Sequence, residues 1–149
     1  MPKASVKRLI ECKKEQLINL VLDIEKYPQF VPFCLHSKIY EKKNKGDLLL
    51  IIADLTIGKN PFKDTYKSDV KFYKKEDLIH VTNLDGPLKH LENKWHFKEE
   101  NNFTEVSFDV DFELKNDFLN IVITKSFQFG LDKIADAFQK RAEELFSKT

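Results

Sequence analysis

Residues 116–147, NDFLNIVITKSFQFGLDKIADAFQKRAEELFS, decide the fold. Phe127, Leu131, Ile134, Phe138, Ala142 and Leu145 recur at steps of three and four, which draws one apolar stripe along a helix. Asp132, Asp136, Lys140, Glu143 and Glu144 fall on the other side, and Asp136 and Lys140 are spaced as a favourable ion pair. Asn116 fits an N-cap, and Asp117 places negative charge at the positive end. The spacing predicts a helix of about seven or more turns. No other stretch has a comparable helical period. Most of what precedes it reads as strands, whose apolar faces need a partner. The expected architecture is α+β, a curved antiparallel sheet of about seven strands wrapped around this helix.

The strands follow from alternation. Val106, Phe108, Val110, Phe112 and Leu114 face one way over residues 104–114, and Glu105, Ser107, Asp109, Asp111 and Glu113 face the other. Residues 90–98 set Leu91, Asn93, Trp95 and Phe97 against His90, Glu92, Lys94, His96 and Lys98. Residues 62–73 set Tyr66, Ser68, Val70 and Phe72 against Lys63, Lys67, Asp69 and Lys71. Residues 47–57 are strongly apolar, a strand expected to be buried on much of both faces. Shorter strands are expected over 3–11, 35–41 and 78–83, with turns at 43–46, 58–61, 85–87 and 99–102. Residues 13–26 read as a helix ended by Pro28. In residues 27–33 two prolines alternate with four large apolar side chains, so this loop must pack on something or cover something.

At 149 residues one domain is expected, spanning residues 1–149 and able to bury roughly 68–70% of its unfolded surface. The 25 basic and 24 acidic residues nearly cancel, which argues against DNA or other nucleic acid as a default partner. Cys12 and Cys34 form neither a CxxC nor a zinc spacing, so a reducing compartment is the simple reading. No apolar run is long enough to span a bilayer. The expected location is cytoplasmic, with at most peripheral contact at an inner membrane.

Three segments carry a resemblance. Residues 21–34, with Asp23-Ile24-Glu25 and then Tyr27-Pro28-Gln29-Phe30-Val31-Pro32-Phe33-Cys34, resemble a D-I-E-x-Y-P-x-F-V-P-x-C signature. Residues 85–97, with Gly86-Pro87-Leu88, Leu91, Asn93, Trp95 and Phe97, resemble an x-G-P-F-x-x-L-x-N-x-W-x-F segment. Residues 137–142 resemble the end of the last helix of the same family. The chain thus resembles the coenzyme Q-binding START-like family, within the helix-grip, polyketide cyclase/Bet v 1-like superfamily. Phe33 stands where that family commonly has Trp, and Leu88 replaces a Phe.

The resemblance implies a sheet gripping a helix, with a hydrophobic cavity between them for an isoprenoid quinone such as ubiquinone. The expected role is a non-enzymatic carrier supporting respiratory electron transport. It also implies an alternative, because ribosome-association toxins share these motifs: binding to the large ribosomal subunit and blocking of subunit joining. The outward lysines Lys63, Lys67 and Lys71 would serve that reading.

The candidate ligand-lining residues are Phe30, Phe33, Tyr66, Ser68, Asn93, Trp95, Phe108, Phe127, Leu131 and Phe138. Asn93 and Ser68 interrupt apolar faces, where an unpaired polar group costs about 1–3 kcal/mol, so a polar-headed ligand or water would satisfy them. Pro61, Phe62, Pro87, Leu88 and Phe118 are candidates for membrane contact at the cavity mouth, with Lys59, Lys63 and Lys89 beside them. No catalytic residue, metal site or cofactor is expected. The four histidines read as surface groups, and Asp109, Asp111 and Glu113 as a solvated strand face.

Overall fold

The computed structural model describes residues 3–59, 62–85, 88–115, 117, 118, 121 and 127–146, with backbone alone at Lys59, Phe62, Asp85 and Leu88. Its elements are β1 (Lys3–Ile10), α1 (Lys14–Leu22), a 3-10 turn (Ile24–Gln29), β2 (Cys34–Lys45), β3 (Leu48–Lys59), β4 (Phe62–Tyr73), β5 (Leu78–Asp85), β6 (Leu88–Glu100), β7 (Phe103–Leu114) and α2 (Phe127–Phe146).

The seven strands form one antiparallel sheet in the order β1-β7-β6-β5-β4-β3-β2. Every neighbour except the β1–β7 pair is joined by a short connection, so the alternating patterns become one continuous inner face. Ile51, Ala53, Ser68, Val70, Ile79, Leu91, Trp95, Phe97, Val106, Phe108, Val110 and Phe112 are all buried on it. The strands are longer than their patterns suggested at one place in particular: β2 runs twelve residues, to Lys45, because β3 keeps pairing with it up to the Gly46 turn. Gly46 has φ +64 there, a conformation that suits glycine.

The helix of residues 13–26 is shorter than its pattern. α1 ends at Leu22, and the chain continues as a 3-10 turn with Pro28 inside. The tighter winding fits proline, which lacks an N–H and sterically disfavours the α conformation at Tyr27. The turn seals the open edge of β2: Ser37 Oγ donates to Ile24 O at 2.7 Å, and the Ile39 N–H donates to Glu25 Oε2 at 2.9 Å.

α2 is 20 residues long, about 30 Å. Leu131, Ala135, Phe138 and Ala142 are buried against the sheet. Leu145, expected on the same stripe, is 49% exposed, while Phe146 packs on the core instead. Phe127 and Leu145 are five full turns apart and share one side, but the buried arc is turned toward Ala135, which brings Phe146 inward and leaves Leu145 at its edge. The expected Asp136–Lys140 pair is also replaced, since Asp136 binds Arg8 across the fold. The proposed Asn116 cap lies outside the described residues.

Candidate functional site

The inner face of the sheet meets α2 through aromatic rings. Phe138 is the hub. Its ring lies edge-on to Trp95 at 5.2 Å, to Phe30 at 5.1 Å and to Tyr27 at 5.4 Å. Trp95 stacks on Phe108 at 3.9 Å, and Phe112 meets Phe127 at 4.5 Å. Each such pair contributes about 0.5–1.5 kcal/mol beyond area burial. Phe30, Trp95, Phe108, Phe127, Leu131 and Phe138 therefore come together as a ring-lined interior, as their inward registers implied. Residues 27–30 are the wall that closes it: the Tyr27 hydroxyl donates to Val21 O, and Arg141 lies 5.3 Å from the Phe30 ring while donating to Gln29 Oε1 at 2.9 Å.

The polar interruptions behave differently from each other. Ser68 is fully buried, but its hydroxyl donates to Ala53 O at 3.3 Å, so the sheet itself satisfies it. Asn93 Oδ1 is buried without any hydrogen-bond partner. Tyr66 packs against the core, and burial pushes its phenol up to about 12. Burial likewise pushes the Cys34 thiol up to about 11, so it is protonated at neutral pH and behaves as a small core residue. Phe33 is placed elsewhere: it is 43% exposed, at φ +67, ahead of β2.

Arg8 is the inward residue that sequence reasoning missed. Ala4, Val6, Arg8 and Ile10 alternate toward the helix, and Arg8 is the charge in that row. Its Nη2 donates to Asp136 Oδ1 at 2.8 Å. The signal was present, since an arginine in an apolar register is the same kind of interruption as Asn93.

The space these groups enclose is small. A cavity of about 20 Å³ lies against Arg8, Trp95, Phe108, Ala135 and Phe138. That is room for one water, whereas ligand pockets are usually about 300–1,000 Å³. In this conformation Trp95, Phe108 and Phe138 fill the volume where a ligand-sized pocket was expected. A larger open crevice of about 470 Å³ lies at the far end, between the start of α1, the β6–β7 hairpin and the end of α2. Its lining includes Glu11, Lys13, Glu99 and Asn101, which suits water better than an apolar ligand.

The strand registers place the β3–β4 and β5–β6 connections at the same end as the exit of β7, since Lys59 pairs with Phe62 and Leu88 with Leu114. Exposed apolar side chains gather toward this end: Phe33, Ile57 at 37% and Leu84 at 52%, with Phe118 at 71% four residues beyond β7. Pro61, Pro87 and the side chains of Phe62 and Leu88 lie outside the described residues. Among those described, no helix is long and apolar enough to cross a membrane.

Comparison with known proteins agrees with this architecture. The chain is 29% identical over 141 residues to the ribosome association toxin RatA of Rickettsia prowazekii, covering 93% of this chain and 94% of that protein. It is 32% identical over 137 residues to the mitochondrial coenzyme Q-binding protein COQ10 of Dictyostelium discoideum, covering 90% of this chain and 65% of that protein. The solution structure of an 18 kDa protein from Caulobacter crescentus superposes with a TM-score of 0.80 at 27% identity, covering 97% of this chain and 98% of that one. The family model described as polyketide cyclase / dehydrase and lipid transport matches residues 10–139, and the chain, with its helix-grip fold, belongs to that family.

Proposed function

We propose that the protein is a non-enzymatic carrier of an isoprenoid quinone, held between α2 and the inner face of the sheet. The observation that carries this reading is Asn93. Its Oδ1 sits unpartnered in an aromatic-lined interior, where an unsatisfied acceptor costs about 1–3 kcal/mol. A ligand with a polar head and an apolar tail satisfies the amide and gains about 0.8 kcal/mol for each CH₂ buried. The relative named as a coenzyme Q-binding protein supports the same chemistry. Because the interior is closed, loading requires α2, with Phe138, to move away from Trp95 and the 3-10 turn. The exposed apolar rim around Phe33, Ile57, Leu84 and Phe118 is the surface through which a carrier would meet a bilayer. The test is mass spectrometry of organic extracts of the purified protein, together with quinone extraction from liposomes. Stoichiometric quinone supports the reading. An empty protein that extracts none removes it.

A second reading is favoured by a separate observation. The relatives named as ribosome association toxins are matched over nearly their whole length, 94% for the Rickettsia protein. On this reading the protein binds the large ribosomal subunit through its outer surface. Co-sedimentation with purified subunits at low salt tests it. Protein left in the supernatant excludes it.

A further inference from the structure

The outer face of the sheet is divided by charge. On its β2–β4 half, the strand registers bring together lysines that are far apart in sequence. Lys38 pairs with Asp54, which pairs with Lys67; Lys43 pairs with Leu50, which pairs with Lys71. Two lysines thus stand on either side of β3 in each of two rows, about 10 Å apart across two strand spacings. Lys45 and Lys63 extend the two lysine columns. Against these six lysines the same half carries Glu41, Asp54 and Asp69. On β6 and β7 the outer face carries six acids, Glu92, Glu100, Glu105, Asp109, Asp111 and Glu113, against Lys94 and Lys98. The near-zero net charge of the chain is an average over two unlike halves.

Between the lysine columns lies Tyr40, in the irregularity of β2, 54% exposed. Lys38 Nζ is 5.0 Å and Lys67 Nζ 5.3 Å from the centre of its ring, and its hydroxyl donates to Asp54 Oδ2 at 2.7 Å. The ring is therefore held in place by three neighbours while remaining open to solvent. Beside it, Leu50 and Ile52 are partly exposed on the outer face of β3. Lysines on an edge strand guard against edge-to-edge pairing, which accounts for those of β2. It does not account for those of β4, an interior strand.

We infer that the outer β2–β4 face is a binding surface for the phosphate backbone of RNA, with Tyr40 as a stacking platform for an exposed base. Cations spread over a sheet face around one fixed aromatic ring are the combination that sequence-tolerant nucleic-acid binding uses. This rests on the second functional reading, and names the partner and the face for it.

The experiment is fluorescence anisotropy of the full chain with a labelled RNA duplex of about 16 base pairs carrying a single-stranded end. Wild type is expected to bind at low salt. Lys43→Gln with Lys71→Gln should weaken binding at least about tenfold and lower the log–log salt slope by about 2, one for each lysine. Tyr40→Ala should weaken binding without changing the slope. Lys94→Gln with Lys98→Gln, on the other half, should have no effect. Circular dichroism confirms that each variant is folded. Absence of RNA binding, equal loss in both lysine pairs, or binding to vesicles of phosphatidylcholine with phosphatidylglycerol in place of RNA overturns the assignment. Co-sedimentation with ribosomal subunits separates the two ideas: variants that still co-sediment like wild type leave the ribosome reading standing and remove this face from it.

Discussion

Arg8 Nη2 lies 2.8 Å from Asp136 Oδ1, tying an inward arginine of β1 to the C-terminal helix. The arginine side chain is 28% exposed and the aspartate 70%, so water screens much of the attraction. Such a pair contributes about 0–1 kcal/mol. Arg8→Met, which keeps the aliphatic stem over the small cavity, should therefore lower the stability measured in urea by less than about 1 kcal/mol. A loss of several kcal/mol would show that the pair is a structural clamp and not a surface contact.

Phe138 is expected to be the most sensitive side chain of the site. It is buried and touches Trp95, Phe30 and Tyr27 together. Phe138→Ala should cost about 3–5 kcal/mol in urea unfolding. A cost below about 1 kcal/mol would mean that the 3-10 turn and α2 collapse into the gap, and that this wall is soft.

Asn93→Leu separates a ligand role from a structural one. Removing the orphaned acceptor should leave stability unchanged or raise it, because an apolar group of similar size needs no partner. Quinone retention in the same variant should fall. If stability drops by 2 kcal/mol or more, on the order of a broken buried hydrogen bond, the amide has a structural partner and the case for a ligand weakens.

Rim contact is testable at Phe33 and Leu84, both exposed. Phe33 has φ +67, which Asp tolerates better than Phe does. Phe33→Asp with Leu84→Asp should leave the fold intact and slow quinone extraction from anionic liposomes several-fold. The same holds for Phe62→Asp with Leu88→Asp, which lie at the connections of that end. Extraction by both double variants at the wild-type rate would place the mouth elsewhere.

The outer face also carries a pH-dependent contact. His80 Nε2 lies 2.9 Å from Glu92 Oε2, and that hydrogen bond, ahead of the charges of Lys94, His80 and His90, holds the Glu92 carboxyl below its ordinary 4.5. A carboxylate with a depressed pKa in the fold adds stability above the unfolded value and loses it as pH falls through the folded one. The Tm advantage of wild type over Glu92→Gln should be level above pH 4.5 and shrink below it. An advantage that grows with acid would reverse the sign of this assignment. The effect should be small, since the Glu92 side chain is 38% exposed.

By itself the sequence determined the architecture. Alternation at period two in residues 90–98 and 104–114, and the helical stripe from Phe127 to Ala142, are local properties of the chain, and they make a sheet with one apolar face need that helix. Inward placement of Trp95, Phe108 and Asn93 follows from the same parity. What the tertiary structure decided depends on registers and volumes. Whether Ser68 is satisfied depends on the carbonyl of Ala53 on the next strand. Whether the interior is open depends on how Phe138 meets Trp95 and Phe30, three rings from three elements. The Arg8–Asp136 pair spans 128 residues. The two lysine columns face each other only because β3 lies between β2 and β4 in one particular register, and a slip of one residue would send either column to the opposite face.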